Sequence, residues 1–322
     1  MILITGGAGY IGSHTVRLLC ELGQECVVFD NLIYGHEQAV DKRAKFYKGD
    51  LLNPKDLNYV FSTYNITAVI HFAAYAYVGE SVVDPSKYYT NNVVGSINLL
   101  NAMMKFNVHN IVFSSTCATY GSPMYLPIDE QHPQCPINPY GTTKLIIENL
   151  LSDFHKAYGI NYIALRYFNA AGAINDSSLG ESHNPETHLI PRVMQAIMRK
   201  IPQIEVFGTN CDTKDGTCIR DYIHVTDLAD AHIKALDKLS SFSGCINLGT
   251  GIGTSVREII EQSELISGKK CPTVFKEKRA GDPDSLFANN RLAQEILNWH
   301  PKYTSLKDII TTSWNWENNR KY

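Results

Sequence analysis

Tyr140 and Lys144 form a Tyr-x-x-x-Lys motif, a spacing that places a phenol and an ammonium group on one face of a helix. A nearby ammonium lowers the pKa of a phenol from its reference value of about 10, which makes the phenolate usable as a base. Thr116 follows a short apolar strand that ends near Phe113, and its hydroxyl can hydrogen-bond the same substrate oxygen. These three groups are the minimum set for oxidising an alcohol, with the phenolate taking the hydroxyl proton.

The Tyr-x-x-x-Lys motif alone is weak evidence, because about one such pair is expected by chance in a chain of this composition. A second match, Tyr303 and Lys307, follows Pro301 near the end of the sequence, far from any predicted strand end. We interpret this second match as a packing and surface pair. Tyr140 and Lys144 are the predicted catalytic pair because they open a helix shortly after Thr116.

A regular alternation of apolar strands and helical patterns must position these residues. The first strands are Ile2–Thr5, Cys26–Phe29 and Ala68–Phe72, and nearly all their residues are apolar, as in strands buried on both faces. This alternation predicts an α/β fold with a doubly wound parallel sheet of the Rossmann type. Thr116 then lies at the carboxyl edge, where such sheets bind ligands.

Three glycines, Gly6, Gly9 and Gly12, follow the first strand and open a helix. Glycine lets the backbone turn tightly and approach a pyrophosphate, while the helix N-terminus supplies N–H donors. A glycine string can also be an ordinary turn, but Asp30 ends the second strand about 20 residues further on, where a carboxylate binds the adenosine ribose. The sequence therefore predicts NAD in preference to NADP, because the carboxylate repels a 2′-phosphate.

The strand and helix rhythm changes after Asn169, where residues 170–187 are rich in glycine, asparagine and serine. A second, smaller mixed α/β domain that binds the substrate is expected to begin here. We predict that residues 1–168 form the NAD-binding domain and that 223–250 return to it. Residues 169–222 and 251–322 are then the substrate domain.

Composition excludes several classes of partner. The net charge is −3 and the longest basic run is 276–279, so the electrostatic footprint of a nucleic-acid-binding protein is missing. The eight cysteines form no C-x-x-C pair and no Cys/His cluster with metal-ligand spacing, so we expect reduced thiols and no metal site. No apolar run approaches the length of a membrane span, and Met1–Thr5 is typical of a buried strand and not of a signal peptide. We expect a cytoplasmic protein.

A series of motifs follows in order along the chain: T-G-G-A-G-Y-I-G-S-H at 5–14, H-F-A at 71–73, V-G-E-S at 78–81, S-S-T at 114–116, P-Y-G at 139–141, L-R-Y-F-N at 165–169, R-D-Y-I-H-V at 220–225 and N-L-G at 247–249. Together they resemble the UDP-glucose 4-epimerases of the extended short-chain dehydrogenase/reductase family, nearly end to end. The resemblance implies a homodimer that interconverts UDP-glucose and UDP-galactose by transient oxidation at C4 with tightly bound NAD. The substrate domain would then bind a UDP-sugar.

The resemblance also implies which residues bind each ligand. The expected NAD contacts come from the glycine loop and the strand ends: Gly6, Gly9, Tyr10, Ile11, Gly12, Asp30, Asn31, Asp50, Leu51, Phe72, Ala73, Ala74, Asn91, Lys144 and Phe168. The expected UDP-sugar contacts lie mostly in the second half of the chain: Thr116, Asn169, His188, Leu189, Phe207, Arg220, Arg279, Asp282 and Leu286. A guanidinium fork suits pyrophosphate oxygens, which agrees with the two arginines. Many family members carry a lysine shortly after H-F-A, whereas this chain reads A-Y-A-Y at 74–77.

The identity of the sugar has alternatives. Residues 75–81 and 115–121 also resemble the branch of the family that acts on UDP-xylose and UDP-arabinose. Leu286 aligns with the family's sugar-size gate, where tyrosine excludes N-acetyl sugars and smaller residues admit them. Leucine is intermediate, so we expect weak use of UDP-N-acetylglucosamine.

Two other functions share the predicted fold. A nucleotide-sugar 4,6-dehydratase needs a general acid, and that family usually carries Asp-Glu after the threonine, where this chain has Cys117 and Ala118. A non-enzymatic NAD-binding sensor would be expected to lose Tyr140, Lys144 or Thr116, and all three are present. The sequence therefore favours an epimerase.

Overall fold

The computed structural model describes residues 1–278 and 283–322. Its strands are β1 Ile2–Thr5, β2 Cys26–Asp30, β3 Lys45–Lys48, β4 Ala68–His71, β5 Asn110–Thr116, β6 Asn161–Tyr167, β7 Asn169–Ala171, β8 Ile204–Phe207, β9 Ile219–His224, β10 Gly244–Leu248, β11 Gly253–Ser255, β12 Thr273–Lys276 and β13 Ser285–Leu286. Its helices are α1 Tyr10–Glu21, α2 Pro54–Thr63, α3 Val78–Val83, α4 Pro85–Tyr88, α5 Gly95–Lys105, α6 Pro139–Tyr158, α7 Leu189–Ile197, α8 Val225–Lys238, α9 Val256–Ser267, α10 Arg291–Leu297 and α11 Leu306–Asn318.

Seven parallel strands form the large sheet, in the order β3-β2-β1-β4-β5-β6-β10. The chain starts at β1 in the middle and extends first to one side and then to the other, so the direction of winding reverses between β1 and β4. In such sheets the crevice for a ligand opens at the carboxyl ends of the strands at this reversal. The predicted doubly wound parallel sheet is confirmed.

Helices cover both faces of this sheet. Because side chains alternate along a strand, Leu3 and Val27 pack towards α2, α5 and α6, whereas their neighbours Ile4 and Val28 pack towards α1 and α8. All four side chains are fully or almost fully buried. The apolar strand sequences follow from this two-sided burial, as the sequence predicts.

The later part of the chain builds smaller sheets beside the large one. Strand β9 pairs with β7, β11 and β13, and β8 pairs with β12. Helices α7, α9 and α11 pack together around Val193, Ile259 and Ile310. Strand β10 lies in the large sheet beside β6, which supports the predicted return of residues 223–250; the domain limits themselves stay a prediction.

The helical segment from α4 to α5 is not a regular α-helix throughout. A π-helical turn, Tyr89–Val94, separates α4 from α5. It contains Asn92, whose buried amide donates to the carbonyl of Tyr75 over 3.1 Å and to the hydroxyl of Thr143 over 3.2 Å. A wider turn of this kind commonly marks a functional position in a helix. Here it brings a polar side chain between the loop after β4 and helix α6.

A buried ion pair joins β6 to α6. Arg166 donates through Nε and Nη2 to the two carboxylate oxygens of Glu148 over 2.9 and 2.7 Å. Ser115 of β5 donates to the same carboxylate over 2.5 Å, and Arg166 also donates to the hydroxyl of Tyr120 over 2.8 Å. The Tyr120 hydroxyl in turn donates to Asn247 of β10 over 2.7 Å. The network therefore connects three neighbouring strands with the helix that carries Tyr140.

Arg166→Met should destabilise the protein by about 3–5 kcal/mol, because it leaves the Glu148 carboxylate buried without its cation. The matched control is Arg291→Met, since Arg291 and its partner Glu295 are 81% and 52% exposed. The control should change the free energy of unfolding by less than about 0.5 kcal/mol. Urea unfolding at one fixed NAD concentration measures both, and equal losses in the two variants would contradict the assignment.

Candidate active site

A cleft of about 950 Å³ opens at the carboxyl edge of the large sheet, between β1 and β4 and beneath the smaller sheets. Most residues predicted to bind ligands line it: Gly6, Gly9, Tyr10, Ile11, Gly12, Asp30, Asn31, Asp50, Leu51, Phe72, Ala73, Ala74, Asn91, Thr116, Tyr140, Phe168, Asn169, His188, Leu189, Arg220 and Leu286. Lys144 is buried under the floor of the cleft. Phe207 ends β8, outside the lining described, and Arg279 and Asp282 lie outside the described residues.

Thr116 and Tyr140 meet at the floor of the cleft. Thr116 ends β5, and its hydroxyl accepts a hydrogen bond from the N–H of Ala118 over 3.1 Å. Tyr140 lies in the first turn of α6, which Asn138 caps by accepting from the N–H of Gly141 over 2.8 Å. Both hydroxyls line the cleft, and the threonine hydroxyl is near enough to the phenol to lower its pKa. The end of a strand and the capped start of a helix therefore hold the two hydroxyls.

Lys144 lies one turn further along α6, and its side chain is almost completely buried. Its Nζ donates to the carbonyl of Ser114 over 2.7 Å and lies 5.9 Å from the ring centroid of Tyr140. Burial lowers the pKa of this ammonium to about 7, although the charge of Glu148 opposes the change. Near neutral pH, the protonation state of Lys144 therefore depends on the groups around it.

The phenol of Tyr140 is protonated in this environment. Burial raises its pKa, the charge of Tyr167 adds to the increase, and the hydrogen bond with Thr116 opposes it. A phenolate forms here only when positive charge stands nearby to offset the lost hydration. The protonation of Tyr140 therefore depends on the charges brought to the cleft floor.

The glycine loop is shaped for a close approach of backbone and ligand. Gly6 has φ +73°, and a Cβ there would lie 2.5 Å from the amide nitrogen of Ala73. A Cβ on Gly12 would lie 2.2 Å from the carbonyl oxygen of Gly6. The N-cap of α1 is Gly9, with no side-chain cap, so the first N–H groups of the helix are available to a phosphate. The loop fits the pyrophosphate of a dinucleotide.

Asp30 stands at the end of β2, beside this loop. Its carboxylate accepts from the N–H groups of Ala8 and Leu32 over 3.0 and 2.9 Å. Each carboxylate oxygen accepts more than one hydrogen bond, so both can also accept from ribose hydroxyls. Asn31 and Asp50 lie next to it, with an amide-to-carboxylate distance of 3.2 Å. The carboxylates at this end suit an adenosine ribose without a 2′-phosphate.

Sequence reasoning missed an aromatic group at the rim of the cleft. The rings of Tyr34 and Tyr75 pack edge to face with centroids 5.4 Å apart. The ammonium of Lys87 lies 4.6 Å from the centroid of Tyr75 and donates to Glu80 over 2.6 Å. Lys87, in α4, thus places an ammonium group beside residues 74–77, near the position where many family members carry a lysine. These contacts join separate loops, so no local pattern could have predicted them.

A second missed group consists of Glu181, His183, Glu186 and His188, which we call the Glu/His quartet; only His188 was predicted as a site residue. Burial lowers the pKa of His183, but the hydrogen bonds and charges of Glu181 and Glu186 outweigh it and raise that pKa to about 10. The alternation E-S-H-N-P-E-T-H at 181–188 is a signal that could have found the group.

Asp221, beside Arg220 on β9, fixes the wall that carries Leu286. Its buried carboxylate accepts from the N–H groups of Thr250, Gly251 and Ala288, over 2.9, 3.1 and 3.2 Å. These bonds hold the loop after β10 against the end of β13. Leu286 therefore projects from a fixed backbone.

The second Tyr-x-x-x-Lys match lies away from the cleft. Tyr303 stacks on His224 with ring centroids 3.9 Å apart, and its N–H donates to Asp227 over 2.9 Å. Lys307 is exposed on α11. The prediction that this pair has a packing and surface role is confirmed.

The profile of the NAD dependent epimerase/dehydratase family matches residues 2–249. The chain belongs to this family. The matched region ends one residue after β10, where the large sheet is complete. The epimerase/dehydratase fold therefore accounts for the whole NAD side of the cleft.

Individual members of the family are similar over nearly the whole chain. A UDP-glucose 4-epimerase of Halalkalibacterium halodurans is 50% identical over 317 residues, which cover 98% of this chain and 95% of the relative. The crystal structure of a UDP-glucose 4-epimerase from Brucella ovis in complex with NAD has a TM-score of 0.95 at 52% identity, covering 98% of this chain and 97% of that one. The UDP-Glc/GlcNAc 4-epimerase of Campylobacter jejuni has a TM-score of 0.87 at 40% identity, covering 99% of each chain.

Across residues 1–278 and 283–322, no helix is both long and apolar enough to cross a bilayer.

Gly12→Ala should reduce the NAD retained through purification of this family member at least about 10-fold, because the new methyl group forces the loop away from the pyrophosphate position. The control is Gly79→Ala, where a Cβ would meet no described atom within 4 Å. Chromatography of the nucleotide released on denaturation measures both contents. A Gly12→Ala protein that retains its full NAD would show that the loop has another role.

Proposed function

We propose that this chain is a UDP-glucose 4-epimerase that interconverts UDP-glucose and UDP-galactose, with Tyr140, Thr116 and Lys144 as its catalytic residues. The observation that carries the proposal is that Tyr140 and Thr116 line one cleft together with the glycine loop. Full-length similarity to UDP-glucose 4-epimerases supports the same activity.

Tyr140 acts as the base in this proposal. It takes the proton of the sugar 4-hydroxyl and later returns it, while Thr116 hydrogen-bonds the same oxygen. Lys144, when protonated, stabilises the phenolate from its buried position 5.9 Å from the ring centroid. Oxidation at C4 gives a 4-ketosugar, which turns in the cleft and is reduced on its opposite face. No net redox change results.

NAD fits the glycine loop and the carboxylates at the end of β2. Gly6, Gly9 and Gly12 would hold its pyrophosphate, and Asp30 its adenosine ribose. When bound, NAD supplies the oxidising and reducing power at C4, and its oxidised nicotinamide ring carries a positive charge. The chain's own residues set the proton chemistry beside it.

The UDP end of the substrate has to stay bound while the sugar turns. His188 and Leu189 at the start of α7, Asn169 on β7 and Arg220 on β9 are the proposed contacts, and each lines the cleft. Arg279, Asp282 and Phe207 complete the set by resemblance. In this proposal, residues of the first half of the chain hold the reacting carbon, and residues of the second half hold the nucleotide.

A 4,6-dehydratase is disfavoured by the residue after Thr116. Cys117 is buried, and burial raises the pKa of its thiol to about 12. Such a thiol does not donate a proton readily at neutral pH, and the methyl group of Ala118 has none to donate. The general acid that expulsion of the 6-hydroxyl needs is therefore not among these two residues.

We further propose a homodimer in the cytoplasm. Apolar side chains are exposed on or beside helices α5 and α6, including Tyr89, Val94 and Tyr158, which are 38%, 45% and 52% exposed. Pairing across a two-fold axis would bury such a surface. The scattered free cysteines and the net charge of −3 suit a reducing compartment without a nucleic-acid partner.

Tyr140→Phe should slow epimerisation of UDP-galactose by about 10²–10⁴-fold while NAD remains bound, because the variant lacks the proton-transferring oxygen and keeps the ring. The matched control is Tyr125→Phe, whose hydroxyl donates to Asp129 on the surface over 2.7 Å. Turnover and NAD content are measured on the same preparations. Near-normal turnover by the Tyr140 variant would overturn the assignment.

Leu286→Tyr should lower the turnover of UDP-N-acetylglucosamine by about 10-fold or more and leave that of UDP-galactose much less affected, because a larger side chain narrows the space for the acetyl group. Leu265→Tyr is the control, since Leu265 is 76% exposed on α9. A chromatographic assay against UDP-galactose, UDP-xylose, UDP-N-acetylglucosamine and its epimer UDP-N-acetylgalactosamine in parallel measures the specificity. No turnover of N-acetyl sugars by the unmodified protein at high concentration would contradict the proposed gate.

A further inference from the structure

The Glu/His quartet brings two carboxylates and two imidazoles together at one side of the cleft. One donor atom from each of Glu181, His183, Glu186 and His188 can be chosen so that all four lie within 4.8 Å of one another. The segment between β7 and α7 doubles back to allow this, although it contains no strand and no helix of its own. Of the four residues, the proposed epimerase function uses only His188, as a contact to the UDP end of the substrate.

Part of the quartet is buried without adequate hydrogen bonds. The side chains of Glu181 and Glu186 are only 6% and 4% exposed. Nδ1 of His183 lies 3.2 Å from the carboxylate of Glu181 and 3.5 Å from Oε2 of Glu186, and Oε2 of Glu186 has no well-aligned hydrogen bond among the residues described. Buried carboxylate oxygens normally accept hydrogen bonds or bind a cation. The quartet therefore has donor atoms available at its centre.

Two adjacent buried carboxylates also require positive charge, which the two imidazoles supply when they are protonated. One divalent cation balances two carboxylates and leaves both imidazoles neutral, the form in which histidine binds metals. Imidazole nitrogens and carboxylate oxygens together are the ligands of Zn²⁺ and of other first-row divalent ions. Ligands of a tetrahedral Zn²⁺ lie about 3.3 Å apart, so small side-chain rotations would close this group around an ion.

We propose that the Glu/His quartet binds one divalent transition-metal ion per chain, with Glu181, His183, Glu186 and His188 as its four ligands. Four protein ligands fill a tetrahedral site, so the ion has a structural role. It would hold the 181–188 loop against Tyr10, whose ring packs edge-on to His183 with centroids 6.4 Å apart. The metal would thus fix the wall of the cleft from which α7 begins.

The test uses the full chain with its NAD, free of any histidine tag and dialysed against a chelator that is then removed. Co²⁺ is the spectroscopic probe, because four-coordinate Co²⁺ has strong visible absorption, and Zn²⁺ competition gives the affinity. We expect one Co²⁺ per chain with a four-coordinate spectrum. His183→Ala, Glu186→Gln and His188→Ala should each weaken binding by more than about 10-fold, the loss that even an outer partner of a metal ligand causes.

The controls are His300→Ala and Glu25→Gln, two exposed positions that should bind the probe as the unmodified protein does. His188 is 46% exposed, so the His188→Ala protein is expected to fold even if a variant at a buried position does not. Absence of stoichiometric binding, or binding that the three quartet variants leave unchanged, would overturn the proposal. Thiolate charge-transfer bands would also overturn it, because they would place the ion on cysteines.

Discussion

The buried ion pair of Arg166 and Glu148 is the interaction on which the geometry of the active site depends. It ties β6 to α6 and, through Ser115, reaches the strand that ends in Thr116. Helix α6 carries the phenol and the strand carries the second hydroxyl, so the pair sets the distance between two groups that no short segment of sequence could hold together. Burying two charges is costly, and here their hydrogen bonds satisfy both groups at the point where the alignment matters most.

The features that could be predicted from the sequence are those that local pattern controls. The glycine loop, the carboxylate of Asp30 and the alternation of strands and helices each follow from neighbours along the chain, and the structure shows them as expected. The π-helical turn at Tyr89–Val94 could not be predicted, because it depends on Asn92 reaching the loop after β4 and helix α6. The convergence of Glu181 with His188 was missed for a similar reason, since a polar stretch between two regular regions is typical of a boundary and its side chains meet only after the loop doubles back.

Burial in the cleft limits which of its side chains carry a charge. Burial disfavours the phenolate of Tyr140 and the ammonium of Lys144, so neither group is held firmly in its charged form. A group that is not held firmly in one protonation state transfers a proton readily when a neighbouring charge changes. On the opposite wall Glu181 and Glu186 keep negative charge buried, which favours cationic neighbours there. The two walls therefore differ in the sign of the charge that they accept.

The position of β10 has a consequence for how the chain reaches its native state. Strand β6 is the neighbour of β10, and until residues 244–248 are available its outer edge presents unpaired N–H and C=O groups. A nascent chain that has emerged only as far as β6 would expose that unpaired edge to pairing with other molecules. Completion of the large sheet must wait for the intervening β7, α7, β8, β9 and α8. Synthesis and assembly are therefore coupled, because the strand that covers this edge is synthesised only after β7, β8 and β9 of the smaller sheets.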